Sequence, residues 1–330
     1  MPSSATERAI GIDVGGTKLL GVLVVTDAPD RPLVERRVPT PRGVDALVDA
    51  IAAMADDVDP DGAAPLGVGL PGLVDHGDRF RYGPNLPEVE DLALGDRLSD
   101  RSGRTVVVDN DATCATVAEF RFGAGEGHAD GMLLTIGTGI GGGLVVDGQV
   151  RRGANGFAGE PGHMVVDPSG PRCPCGRRGC WERFASGSGL GRLGREAALA
   201  GRFDAAVDLA GDPEAVRGEH VVAAARAGDG QAGAVLDEFA WWLALGIGNL
   251  VDVLDPSIVV LGGGVMDAAD LLTHRVVAAL PEQVLGADHR PTVPVVAAQA
   301  GEHAGAVGAA LIAAQPGGRI SGAGGGPAPR

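Results

Sequence analysis

Three features of the sequence predict an α/β fold duplicated into two domains. A strand, a glycine turn and a second strand occur twice, at residues 9–25 and again at residues 132–146. Short runs rich in Val, Ile and Leu alternate with segments of helical period, the pattern of strands buried beneath helices. The 330 residues, 45% of them hydrophobic, supply one very large core or two ordinary ones. Aromatic residues make up 3%, so aliphatic side chains carry most of the packing.

In chain order, Ala9-Ile10-Gly11-Ile12-Asp13-Val14 reads as a buried strand ending at Gly15-Gly16-Thr17-Lys18, and residues 19–25 as its returning partner. The turn is not a P-loop, because the Lys-Ser/Thr spacing is missing and a strand follows. It still offers backbone N–H groups and the Thr17 hydroxyl to a phosphate. Asp13 at the strand end suits a hydrated Mg²⁺; an ordinary hairpin with an acid at its end fits the same residues. Residues 44–55 have helical period and residues 66–70 form a strand closed by Pro71-Gly72. Pro84-Asn85-Leu86-Pro87 is a stiff loop presenting one amide, Asn85. A strand at 106–108 runs into Asp109-Asn110-Asp111, and a helix is expected over 112–122. One aspartate is expected to cap that helix and the other to be left for chemistry. Ligands of open α/β sheets gather beyond the carboxyl ends of strands, where these acids stand.

In the second copy, strands at 133–136 and 143–146 flank the turn Gly137-Thr138-Gly139-Ile140-Gly141-Gly142. Gly137, Gly139 and Gly142 match G-x-G-x-x-G, but a strand rather than a helix follows, which rejects a dinucleotide fingerprint. Helices are expected over 185–199, 231–253, 270–279 and 304–314, with a surface helix pair in 201–216. Strands are expected over 258–261 and 293–297. Trp241 and Trp242 fall on the long helix as core or subunit-interface residues. Gly262-Gly263-Gly264 leaves room for a flat ligand against the backbone. Residues 316–330 are rich in Gly and Pro and are expected to be disordered.

The most specific stretch runs from Glu160 to Glu182. Three of the four cysteines, Cys173, Cys175 and Cys180, fall within eight positions, with His163 upstream. One His and three Cys make the tetrahedral N/S set of a structural zinc site, although Cys-x-Cys replaces the commoner Cys-x2-Cys. A disulfide is the other reading; no secretory segment favours it, and a Cys173–Cys175 ring would be small and strained. Gly176 and Gly179 lie where a metal-wrapping turn needs positive φ or close backbone approach. The 27 basic and 43 acidic residues leave a net charge of −16, against a polyanion-binding surface. No run of eighteen apolar residues marks a membrane span and no apolar leader follows Met1, so a cytoplasmic protein is expected.

These motifs, in this order, resemble the ROK family (repressor, ORF, kinase) of sugar kinases over residues 9–315, and within it the bacterial ATP-dependent glucokinases. They are Asp13-x-Gly15-Gly16-Thr17-Lys18, Asn110-Asp111, Gly137-Thr138-Gly139-x-Gly141-Gly142-Gly143, Glu160-x-x-His163, the cysteine cluster with Glu182, and Gly262-Gly263-Gly264. The resemblance implies an actin-like, ribonuclease-H-like fold of two domains around a central cleft. A smaller domain would span 9–116 plus a returning 301–315, and a larger one 117–300 with the zinc loop. It implies phosphorylation of the D-glucose 6-hydroxyl by ATP with Mg²⁺, with Asp111 as general base. Asn85, Asn110, Asp111, Glu160, His163 and Glu182 would hold the sugar. Asp13, Gly15, Gly16, Thr17, Lys18, Thr138, Gly139, Gly263 and Gly264 would serve the nucleotide, and His163, Cys173, Cys175 and Cys180 a structural Zn²⁺. A homodimer or tetramer, with no nucleic-acid or membrane partner, is also implied. Pro161 departs from the family, which often has a hydrophobic residue there, and could shift sugar preference.

The chemistry agrees. Phosphoryl transfer to a hydroxyl needs positioning, charge neutralisation and an acceptor for the proton, which a carboxylate supplies late in a loose transition state. Asn, Glu and His side chains match hydroxyls that both give and take hydrogen bonds. The alternatives are a kinase for N-acetylmannosamine, N-acetylglucosamine, fructose or allose, a sugar-responsive repressor, or a catalytically dead scaffold. A repressor needs a helix-turn-helix ahead of the first strand, and only nine residues precede Ile10. Intact Asp111 and glycine turns argue against a scaffold, and the acidic charge against polyphosphate as the donor.

Overall fold

The structure is a computed structural model that describes residues 7–62, 64–83, 86 and 88–315. Asn85 and the tail at 316–330 lie outside the described residues. The chain divides into two compact units, one of residues 1–133, 143–159 and 298–330, the other of 134–142 and 160–297.

The first unit opens with β1 (Arg8–Val14) and β2 (Lys18–Val25), an antiparallel hairpin that β3 (Val34–Pro39) extends. After α1 (Val44–Val58), β4 (Leu66–Leu70) pairs parallel to β1. A two-stranded ribbon, β5 (Leu73–Val74) and β6 (Phe80–Tyr82), and α2 (Leu94–Ser102) lead to β7 (Val106–Asn110), parallel to β4. The sheet order is β3-β2-β1-β4-β7. Successive strand residues face opposite sides, and both sides of this sheet are covered. Ile10, Ile12, Leu66 and Val68 join Leu47, Ile51 and Met54 of α1 in one core. On the other side, α3 (Asp111–Phe122) and α10 (Ala304–Ala314) pack together, with α10 also against β1 and β4. Gly11 and Gly67, paired across β1 and β4, let α10 touch the strands. A Cβ at Gly11 would lie 1.7 Å from the Ala306 carbonyl oxygen, and one at Gly67 1.9 Å from that of Ala309.

A second sheet has the order β10-β9-β8-β11-β12, formed by β8 (Gly131–Ile136), β9 (Ile140–Val146), β10 (Gln149–Val150), β11 (Val259–Gly262) and β12 (Val295–Ala297). Three strands in antiparallel succession, then strands added on the far side of the first, is the connectivity of the first sheet as well. The repeated strand–turn–strand motif is therefore a duplication at the level of topology. β8 and β9 each begin in one unit and end in the other.

The second unit is helical around α4 (Glu182–Ala185), α5 (Gly187–Leu199), α6 (Asp204–Ala210), α7 (Gly218–Arg226), α8 (Gly230–Leu254) and α9 (Ala269–Ala279). α8 is long and apolar enough to cross a membrane by length and composition, yet 61% of its most apolar stretch is buried in the molecule. It packs on α9, α5 and α7 as a core helix. Trp241 is 39% exposed, which rules out the core and leaves the subunit-interface reading of it untested; Trp181 is the fully buried tryptophan.

Candidate active site and metal centre

β7 ends on Asp109-Asn110 and α3 starts at Asp111, so strand end and helix start meet without a loop. Neither aspartate is the cap. Asn110 caps α3 through Oδ1, which accepts the Thr113 N–H at 2.9 Å, while its Nδ2 donates to the Gly72 carbonyl at 3.1 Å. Nor is Asp109 free: its Oδ2 accepts from Arg152 Nε at 2.6 Å and its Oδ1 from the Asn110 N–H at 2.8 Å. Asp111 Oδ1 accepts the Ala112 N–H at 2.8 Å, and burial pushes its carboxyl above the usual range.

Asp13, one residue before the end of β1, lies opposite Gly69 in the parallel register, and a Cβ at Gly69 would lie 3.5 Å from Asp111 Cα. The two acids therefore share one edge of the sheet. Burial, then the Asp111 charge, push Asp13 up to about 7, with Lys18 opposing. Two like charges held together in a buried place favour a cation. The turn beyond Asp13 is closed by Gly15 N–H donating to Lys18 O at 2.9 Å and by Thr40 Oγ1 donating to Gly15 O at 2.6 Å. Gly16, Thr17 and Lys18 are exposed there.

In the second unit the Gly137 N–H closes its turn on Gly139 O at 2.9 Å, leaving Thr138 exposed. The start of α5 holds this turn, with the Gly187 N–H on Gly137 O at 2.7 Å and Ser188 Oγ on Thr138 O at 2.9 Å. Gly263 has φ 85° and a Cβ there would meet the Ile136 backbone at 2.7 Å; Gly264 faces open space.

Glu160 precedes a single 3₁₀ turn, Pro161–His163, that swings His163 round. Residues 164–166 then run beside 179–181, with Trp181 N–H donating to Met164 O at 2.7 Å and Val166 N–H to Gly179 O at 2.9 Å. The cysteine turn closes with Cys173 N–H on Arg177 O at 2.8 Å and Gly176 N–H on Cys173 O at 3.0 Å. Gly176 and Gly179 have φ of 89° and 68°, and a Cβ on Gly179 would fall 1.5 Å from Asp167 O. Trp181 anchors the loop: its Nε1 donates to Trp242 O at 2.7 Å and its ring lies on Gly246 of α8.

This folding gathers His163, Cys173, Cys175 and Cys180 with all four ligand atoms within 4.8 Å of one another. All four cysteines of the chain are free thiols. Cys175 and Cys180 Sγ are 3.6 Å apart, and His163 Nδ1 is 3.8 Å from Cys173 Sγ. A tetrahedral zinc with Zn–S near 2.3 Å has ligand–ligand edges of about 3.6–3.8 Å, so the donors and their spacing fit that ion. Burial pushes the Cys175 thiol up, but the Arg177 N–H and neighbouring sulfurs outweigh it and bring it down to about 7. Burial and then the Glu182 carboxylate push Cys173 the other way, and a dication would displace its proton. Glu182 Oε1 accepts from Cys173 Sγ at 3.0 Å and lies 3.8 Å from His163 Nδ1, while its Oε2 reaches the Gly139 turn. Arg152, which holds Asp109, was not singled out by the sequence, because its partner is distant in the chain.

The ROK family model matches residues 9–316. A glucokinase of Streptomyces coelicolor is 38% identical over 317 residues, covering 93% of this chain and 98% of that protein. A glucokinase of Thermotoga maritima is 36% identical over 311 residues, 92% of this chain and 96% of that one. The crystal structure of a ROK family glucokinase from Streptomyces griseus, in complex with glucose and AMPPNP, superposes with a TM-score of 0.82 at 38% identity, covering 93% of this chain and 99% of that chain.

Proposed function

The chain belongs to the ROK family, and we propose from that membership and the site that it is a glucokinase, transferring the γ-phosphoryl group of ATP to the 6-hydroxyl of D-glucose. The observation that carries this reading is the Asp111 carboxyl, at the first residue of α3 and on the same sheet edge as Asp13. Asp111 is the acceptor for the hydroxyl proton. Its raised basicity suits that task better than an ordinary carboxylate of pKa about 3.9. Asn110 keeps one lone pair for a sugar hydroxyl, its amide N–H groups being turned to the Gly72 carbonyl and the Asp111 carboxylate. Glu160, His163 and Glu182 supply further sugar contacts, as does Asn85. His163 turns Nδ1 to the thiols, which leaves Nε2 for a hydroxyl. Gly15, Gly16, Thr17, Lys18, Thr138 and Gly139 would serve the nucleotide phosphates. Gly263 and Gly264 leave room on the adenine side. Asp13 would hold a hydrated Mg²⁺, which would neutralise charge on the phosphates.

His163, Cys173, Cys175 and Cys180 would hold a structural zinc, since four protein donors leave no open position on the ion for a substrate. The same reading keeps the smaller domain at residues 9–116 and 301–315, a homodimer or tetramer as the assembly, and a reducing cytoplasm as the setting for four free thiols. A panel of hexoses and N-acetylhexosamines assayed with ATP, and with polyphosphate as donor, tests it. Glucose with ATP is expected to give the highest kcat/KM. A higher value for N-acetylglucosamine, or for polyphosphate, would overturn the substrate or the donor assignment.

A further inference from the structure

We propose that Glu119 is a positioning residue for nucleotide binding: its carboxylate fixes residues 299–300, and with them the first turn of α10, beside Asp13. The proposal rests on the kinase reading in taking Asp13 as part of the nucleotide site. Glu119 is 1% exposed, and no cation pairs with it among the described hydrogen bonds. Backbone N–H groups fill its oxygens instead. Oε1 accepts from Gln299 at 2.9 Å and Ala300 at 2.7 Å, and Oε2 from Ala124 at 2.9 Å and Gln299 at 3.1 Å. A buried carboxylate is costly unless its lone pairs are satisfied, so these donors and the acid hold one another in place. The partners stand some 180 residues apart in sequence.

What the clamp holds is the entrance to α10. Residues 299–300 lead into the turn Gly301–His303 and then α10. Gly305, in the first turn of α10, is so close to Asp13 that a Cβ on it would lie 2.9 Å from the Asp13 carboxyl carbon. The N–H groups of a helix's first turn stabilise a nearby anion, so the placing of this turn sets how Asp13 presents its charge. Glu119 sits on α3, the helix that begins with Asp111. It therefore ties the turn beside one acid to the helix bearing the other, without touching either.

Two variants separate positioning from bulk stability. Glu119→Gln keeps the volume but sets an NH₂ against at least one of the N–H donors. Ala300→Pro removes a single donor at a residue whose φ of −71° proline accepts. The readouts are hydrogen exchange at the Gln299 and Ala300 amides for Glu119→Gln and at Gln299 for Ala300→Pro, MgATP affinity by calorimetry, and the separate KM values for MgATP and glucose. Both variants are expected to lose amide protection there and to weaken MgATP by about tenfold while glucose KM stays within about twofold. The exposed Glu126→Gln serves as an unchanged control. Lost protection with unchanged MgATP affinity would show a purely structural clamp and overturn the proposal, as would equal loss for both substrates. If the unaltered protein binds MgATP but phosphorylates no hexose, the kinase reading fails while calorimetry still decides the role of Glu119.

Discussion

A carboxylate is a stronger base the more its surroundings disfavour its charge, and burial does that to Asp111. Asp111→Asn keeps the side chain's size and its acceptor to the Ala112 N–H, so folding and glucose binding should survive. Turnover should fall by about 10²- to 10⁴-fold, the usual contribution of a positioned base. The base works deprotonated, so in the unaltered enzyme kcat should drop as pH falls through the raised pKa, an acid limb above the ordinary value of about 3.9. That limb should vanish in the residual rate of the variant; a well-folded Asp111→Asn enzyme with near-normal kcat would remove Asp111 from the role. At this scale the sequence was informative wherever chemistry is contiguous. Asp13 and the cysteine cluster could be named from their neighbours in the chain, whereas Asp111 was told from Asp109 only by the family resemblance. It misled over which residue caps α3, since an Asn between two Asp residues is an equally good cap and only the bond to Thr113 decides. It was silent on Arg152, whose partner Asp109 lies 43 residues earlier.

The elements were legible in proportion to their periodicity. β4 and α10 stand at the expected bounds, and the expected 231–253 helix is α8 with one more residue at each end. β3, with four exposed residues on a polar edge, carries no apolar pattern to read, and α2 has a mean composition too polar to stand out. The helix expected over 185–199 is α5, which starts two residues later because Ser186 caps it through the Gly189 N–H at 3.2 Å, with the short α4 just before it. What periodicity cannot show is how close elements come. α10 reads as an Ala-rich helix of no special demand, yet a Cβ at Gly308 would lie 1.7 Å from the Cys114 carbonyl oxygen of α3. Backbone cannot yield as a flexible side chain can, so Gly308→Ala must push the two helices apart. The better helix propensity of Ala, worth about 1 kcal/mol, should lose to an overpacking cost of about 1–3 kcal/mol or more. Urea unfolding should show a lowered midpoint at unchanged slope; a midpoint equal to or above that of the parent would mean α10 can shift freely.

At the scale of the whole chain, the two compact units carry different fastenings. In the first, Arg104 and Asp59 are buried at 1% and 3% side-chain exposure, with Nη1 on Asp59 Oδ2 at 2.7 Å and Nη2 on Asp59 O at 2.7 Å. Burial pushes the Asp59 carboxyl up, but the Arg104 bonds and the Ala64 N–H outweigh it and hold it below the usual range. A depressed carboxylate contributes stability above its unfolded pKa of about 3.9, and that contribution is lost as pH falls through the lower folded value. In the second unit the fastening is the His and Cys cluster, which in the unfolded chain is scattered over 163–180. Arg104→Met should therefore cost about 3–5 kcal/mol at neutral pH, since it strands a buried anion. The deficit should shrink below the folded pKa, where Asp59 is neutral in both proteins. Cys175→Ser, or zinc stripped by a chelator, should lower metal content and thermal stability together at neutral pH, and this deficit should close at acid pH as protons displace the metal from the thiolates and imidazole of the parent. Hydrogen exchange should place the two losses apart: around β4 and α2 for the arginine variant, around residues 160–190 for the metal-free protein. Full zinc occupancy in Cys175→Ser would count against ligation by that thiol. A protection loss spread evenly over both units in either case would mean that they unfold as one, and that neither fastening is local.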